Sequence, residues 1–117
     1  MHAVIVNQSD VEDVTTPRGL TKFLVRHAAG EGPNIMIRQW AAGTELSRHA
    51  HPANEMFYIL DGEVEVAGDV LGAGTCLFIP GGCEYGPLRV LQGTATLLRY
   101  YESESPSGDP TAPQETS

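Results

Sequence analysis

Residues 43–62 read GTELSRHAHPANEMFYILDG, and the reading of this stretch decides the fold. His49 and His51 stand two apart, and Glu55 follows four residues later. On an extended backbone, side chains at i and i+2 leave the same face, so both imidazoles can converge on one point. The turn-prone Pro52-Ala53-Asn54 step folds the chain back and delivers Glu55 to that point from the next strand. Two neutral imidazoles and one carboxylate on one side of a cation form the facial set that suits non-haem Fe(II), with Zn, Mn, Ni or Co also accommodated. The competing reading is a pair of ordinary strand histidines beside a solvated acid. It is weakened because a period of two places Glu55 with Phe57 and Ile59, where a carboxylate without a partner is costly and a cation would supply one.

Outward from this stretch the chain is punctuated by turns and sustains no helical period. Residues 55–60 alternate, with Glu55, Phe57 and Ile59 inward, and end at Asp61-Gly62, a strong hairpin signal. Residues 63–66 alternate glutamate and valine. Gly68-Asp69 turns, residues 75–79 form an apolar strand closed by Pro80-Gly81-Gly82, and residues 88–91 and 94–101 are strands joined by a Gln92-Gly93 hairpin. Towards the N-terminus, residues 34–41 alternate, Ile35, Ile37 and Gln39 on one side and Met36, Arg38 and Trp40 on the other. Residues 21–27 form a further strand, residues 7–18 a loop, and residues 3–6 an N-terminal edge strand. Turn signals at this spacing predict an antiparallel sandwich or barrel.

The chain has 117 residues, enough for one small domain. Its net charge of −8 argues against nucleic acid and anionic membrane as partners, since both need clustered cations. No apolar stretch approaches the roughly 20 residues of a membrane span, and the opening MHAVIVNQSD lacks the basic region of a secretory signal. Cys76 and Cys83 are too few for a disulfide scaffold and read as reduced thiols, so a cytoplasmic location is expected. Residues 102–117 contain no apolar side chain larger than alanine and are expected to form a disordered acidic tail. The expected organisation is therefore residues 1–19 as edge strand and loop, 20–101 as β-barrel, and 102–117 as tail.

At this point the residues resemble a family. Gly43, His49, His51, Glu55 and Gly62 match every fixed position of G-x5-H-x-H-x3-E-x6-G, the first signature motif of the cupins. Of the second motif, G-x5-P-x-G-x2-H-x3-N, Gly74, Pro80 and Gly82 match; Tyr85 stands where the family places a third histidine and Arg89 where it places asparagine. The resemblance implies an all-β, jelly-roll-like double-stranded β-helix barrel, often a homodimer. It also implies one divalent transition metal (Fe, Mn, Ni or Zn) at residues matching His49, His51 and Glu55. Three readings of Tyr85 stand open. It ligates as phenolate, it acts beside the metal as hydrogen-bond donor or general acid, or it fills the pocket and marks a protein that has given up its metal. A phenol, with a reference pKa of about 10, is a poor ligand until a metal acidifies it. Cys83 and Glu84 are possible stand-in ligands.

For other chemistry-bearing residues the bland reading leads. His27 is expected at the surface, Cys76 in the core, and Arg38, Arg48 and Arg99 as solvated strand-face charges; Trp40, Phe57 and Phe78 are core or pocket wall. The expected function is that of a metal-dependent cupin acting on a small organic molecule, of oxygenase (oxidoreductase), isomerase or cyclase type, with Tyr85 as the catalytic proton donor. The alternative is a non-catalytic metal- or ligand-sensing cupin. A third reading is a dimerising barrel whose residues 3–6 join a partner's sheet edge.

Overall fold

The structure, a computed structural model, describes residues 2–16 and 19–102. The expected tail lies outside these apart from Glu102. The described residues form a short 3-10 turn, Gln8–Asp10, and ten strands: β1 (Val14–Thr16), β2 (Gly19–Val25), β3 (Asn34–Trp40), β4 (Glu45–Leu46), β5 (Glu55–Asp61), β6 (Glu63–Val66), β7 (Asp69–Gly72), β8 (Cys76–Ile79), β9 (Leu88–Arg89) and β10 (Ala95–Tyr101). They build a six-stranded sheet, ordered β1-β2-β3-β10-β5-β8, and a four-stranded sheet, ordered β4-β9-β6-β7. Every strand pairing is antiparallel. This is the antiparallel all-β architecture expected from the turn spacing, in the jelly-roll form that the cupin resemblance implies.

Alternation decides which side of each strand faces in. Along β3, Asn34, Met36, Arg38 and Trp40 are buried, and along β10 so are Ala95, Leu97, Arg99 and Tyr101. On β5 the inward set is Glu55, Phe57 and Ile59. Val64 on β6 and Leu88 on β9 meet this set from the other sheet in one apolar cluster with Leu46, Trp40 and Val90. Burying an aliphatic or aromatic side chain of this size contributes roughly 1.5–3 kcal/mol, so the cluster holds the two sheets face to face.

Several local expectations need correction. Residues 3–6 form no strand here, and Ile5 is 96% exposed. The N-terminal edge strand is instead β1, drawn from the stretch read as loop, where Val14 pairs with Thr21 and Thr16 with Gly19. Asp61-Gly62 and Gln92-Gly93 do not close hairpins. Each carries the chain from one sheet to the other, because the alternating apolar residues on the two flanking strands must enter the core from opposite sides. Gly62 has φ +83°, and a Cβ there would stand 2.6 Å from the Thr94 carbonyl oxygen, so the corner requires glycine. The β6–β7 connection is a true hairpin: Ala67 (φ 50°) and Gly68 (φ 92°) both sit in the left-handed region that a two-residue turn demands. Cys76 and Phe78 point outward from β8, against the expectation of core positions, since the inward phase of that strand belongs to Leu77 and Ile79.

Candidate metal centre

The two signature stretches meet through backbone. The His49 N–H donates to the Tyr85 carbonyl (3.1 Å) and the Tyr85 N–H to the His49 carbonyl (2.8 Å), an isolated antiparallel bridge. Two residues on, the Gly82 N–H donates to the His51 carbonyl (2.8 Å), and the Gly81 N–H donates to Asn54 Oδ1 (2.7 Å). Gly81 lies so close that a Cβ would stand 2.4 Å from the Pro52 carbonyl oxygen. The loop after β8 is thereby pressed onto the His49–Glu55 segment, and Tyr85 is placed opposite the first histidine. Their ring centroids are 4.6 Å apart, and those of His49 and His51 are 4.9 Å apart.

Two of the expected ligands, His49 and Glu55, are each held by one atom and offer another. His49 Nδ1 lies 2.7 Å from the Ser47 carbonyl oxygen. A carbonyl only accepts, so Nδ1 carries the proton and Nε2 keeps its lone pair. That Nε2 is buried with no hydrogen-bond partner. Glu55, 1% exposed, accepts from Arg99 Nε (3.0 Å) and Nη2 (2.8 Å) on a single oxygen, Oε2. Its Oε1 is buried without a hydrogen bond and faces His51 Nε2 at 3.8 Å. His51 is 3% exposed, and its pKa is lowered from 6.5 to about 4. Desolvation by burial is the main cause; Glu55 opposes it, while Arg99, His49 and Arg38 reinforce it. His51 is thus a neutral imidazole at physiological pH, the form that ligates a metal.

Donor types, tautomer and outer hydrogen bonds fit a cation bound by nitrogen and carboxylate oxygen. The spacing is looser than the donor set: among the described residues no three His, Cys, Asp or Glu side chains surround one point closely enough to hold an ion. Tyr85, 8% exposed, stands beside them, its ring 6.3 Å from those of His51 and Phe57. The possible stand-ins lie outside: Cys83 is exposed, and Glu84 forms a surface ion pair with Arg48 (2.9 Å). His27 is at the surface, with Nδ1 2.6 Å from the Pro33 carbonyl. An open groove of about 550 Å³ along Thr16, Gly19 and residues 41–45 includes none of the expected ligands.

Two arginines expected as solvated strand-face charges are buried instead. Arg99 is fully buried and Arg38 is 3% exposed. Part of the positive charge that Glu55 requires therefore comes from the chain itself. The signal was present in the sequence: Arg38 lies between Met36 and Trp40, and Arg99 between Leu97 and Tyr101, at the same period of two as the apolar residues. The Arg99 guanidinium carbon sits 4.6 Å from the Tyr101 ring centroid, a stacking that favours a buried cation.

The fold and this motif geometry define a cupin. More narrowly, the chain belongs to the ChrR cupin-like domain family, whose model matches residues 1–103. No curated protein matches the chain in sequence. Among solved structures, it is similar to the polyketide cyclase RemF from Streptomyces resistomycificus (17% identity, TM-score 0.71, covering 94% of this chain and 86% of that one). It is similar to Bacillus subtilis oxalate decarboxylase, a protein with Mn(II) centres (19% identity, TM-score 0.63, 89% of this chain and 31% of that one). It is also similar to a chain of the Rhodobacter sphaeroides complex of SigE with the anti-sigma ChrR (20% identity, TM-score 0.65, 81% of this chain and 51% of that one). These likenesses show the fold. No helix among the described residues is long and apolar enough to cross a membrane.

Proposed function

We propose that this chain is a metal-binding cupin domain that works as a regulatory, ligand-sensing module. His49, His51 and Glu55 would hold one divalent transition metal, which supplies Lewis acidity and open positions for a small ligand. One observation carries the metal reading: His49 Nε2 and Glu55 Oε1 are both buried acceptors without a hydrogen bond, while Ser47 and Arg99 fix the opposite atom of each side chain. Two lone pairs buried and oriented in this way are costly unless a cation meets them. The regulatory role draws support from the family's namesake and from the similarity to a chain of a sigma–anti-sigma complex. A protein partner is therefore proposed alongside the small ligand.

The second reading is an enzyme of oxygenase, isomerase or cyclase type. The observation favouring it is Tyr85, whose buried ring lies tilted beside that of His49, where a substrate-directed proton donor would stand. The variant Tyr85→Phe separates three roles. Loss of bound metal makes the phenol a ligand. Retained metal with loss of a ligand-dependent turnover makes it a proton donor. Retained metal with no change in ligand binding supports the regulatory reading. Metal analysis of protein purified without chelator tests the shared premise: about one metal per chain is expected, and none after supplementation would refute it.

A further inference from the structure

An arginine that meets a carboxylate usually does so as a fork, with two parallel hydrogen bonds, one to each oxygen. Arg99 departs from that habit. Its Nε (3.0 Å) and Nη2 (2.8 Å) both donate to Glu55 Oε2, while Oε1 is left buried, without a hydrogen bond, 3.8 Å from His51 Nε2. A carboxylate oxygen offers about two lone-pair sites, so Arg99 fills those of Oε2 and spares those of Oε1. The backbone fixes this arrangement. Arg99 stands on β10, which pairs with β3 on one side and β5 on the other. The β5–β10 register sets Tyr101 opposite Glu55 and Arg99 opposite Phe57. Arg99 and Glu55 are thus diagonal neighbours on the inward face, within reach of long side chains. The guanidinium carbon lies 4.6 Å from the Tyr101 ring centroid and 5.8 Å from that of Phe57, which favours a buried cation at this place. The remaining nitrogen, Nη1, is buried and has no hydrogen-bond partner among the described residues, so no second acceptor draws the guanidinium away from Oε2.

We infer that Arg99 is the positioning residue of the candidate metal centre: by occupying Oε2 it restricts Glu55 to one ligating oxygen, Oε1, and so keeps a further coordination position open to a small ligand. The inference rests on the metal reading and deepens it. A pair that served only to neutralise Glu55 would gain more from the fork, which engages both oxygens and leaves no orphaned acceptor. Here one oxygen is orphaned in a desolvated interior, on the side that faces His51. With His49 and His51 giving one nitrogen each, a one-oxygen Glu55 completes a facial set of three donors, whose remaining positions stay open. A Glu55 that gripped through both oxygens would take one of those positions from the ligand. Arg99 therefore governs how much of the ion a ligand can reach, beyond its part in holding Glu55 in the fold.

The test is the visible spectrum of the full chain loaded with Co2+ and titrated with imidazole, corrected for Co2+–imidazole association in solution. At about pH 8 this probe is neutral, so the charge of Arg99 does not attract it. The d–d absorption of Co2+ weakens as its coordination number rises. Arg99→Gln and Arg99→Lys each free at least one lone pair of Oε2. Both are expected to absorb more weakly than the parent and to bind imidazole less tightly by about tenfold or more, within the usual range of coupling between sites. Lysine keeps the charge, so the two variants should agree. An Arg99→Lys protein that matches the parent would assign the effect to charge and overturn the inference. So would equal spectra and equal imidazole affinity in the parent and both variants, all loaded with Co2+, although the metal site would then stand. If the variants do not fold or do not load, the parent decides. In a crystal structure of the Mn2+-loaded parent, Glu55 is expected to meet the ion through Oε1 alone, with Arg99 still on Oε2; contact through both oxygens would overturn the inference. A folded parent that takes up neither Co2+ nor Mn2+ would refute the metal reading, and this role of Arg99 with it.

Discussion

The two ends of the barrel are built from the same strands and obey different physics. On β5 the inward residues run from Glu55 through Phe57 to Ile59, and on β10 from Tyr101 and Arg99 to Leu97 and Ala95. One end is packed hydrocarbon, where Ile59, Val64, Leu77, Leu88 and Leu97 leave a residual space of only about 10 Å³. The other gathers His49, His51, Glu55, Arg99 and Tyr85. The apolar end stabilises the fold by excluding water. The polar end buries charges at a desolvation cost that only mutual pairing and ligands offset. A period of two assigns a side chain to the interior without regard to its chemistry, and function occupies the end where that assignment conflicts with solvation.

Breaking the pair at the polar end should have the largest effect. Arg99→Ala leaves Glu55 buried and uncompensated and is expected to cost about 3–5 kcal/mol in urea denaturation. The double variant Arg99→Met with Glu55→Leu should recover most of that loss; if it is as unstable as the single variant, the charges are not in conflict with burial and the contrast between the ends fails. At the apolar end, Leu97→Ala is expected to cost roughly 2–5 kcal/mol through the cavity it leaves. Its Mn2+ affinity should stay near that of the parent, and a large loss of metal binding would show that the two ends are not separable.

Acid should act through the polar end first. The folded pKa of His51, about 4, lies below its unfolded value of 6.5, so the unfolded chain binds the proton more readily. Stability is therefore expected to be fully present above about pH 6.5 and to fall as pH drops towards 4, by up to about 3 kcal/mol from this group at the size of shift quoted. The profile of His51→Asn should be flatter across that window, and an unchanged slope would remove His51 from the account. The smallest effect is expected on the outer face of the six-stranded sheet. Phe78, 60% exposed, can become serine with a change within about 0.5 kcal/mol.

Much of this was legible in the sequence. The spacing of Gly43, His49, His51, Glu55 and Gly62 carries the cupin fold, and alternation places Met36, Arg38 and Trp40 on one face. What escaped were effects that local pattern does not encode. The short strands β1, β4 and β7, of three, two and four residues, owe their existence to partners across the sheet. The turns at Gly62 and Gly93 have hairpin chemistry, but tertiary packing sends their outgoing strands to the other sheet. Arg38 and Arg99 were read by residue type when their phase placed them inside. The pairing of Arg99 with Glu55 joins residues 44 apart in sequence, and only the β5–β10 register brings them together.

The central claim is that the polar end completes itself with a metal, and equilibrium dialysis against Mn2+ tests it most directly. The parent chain is expected to retain about one ion per molecule, and both His49→Ala and His51→Ala to retain almost none while keeping the parent's far-ultraviolet circular dichroism. Retention by both variants at the parent's level, or no retention by the folded parent, would contradict the account.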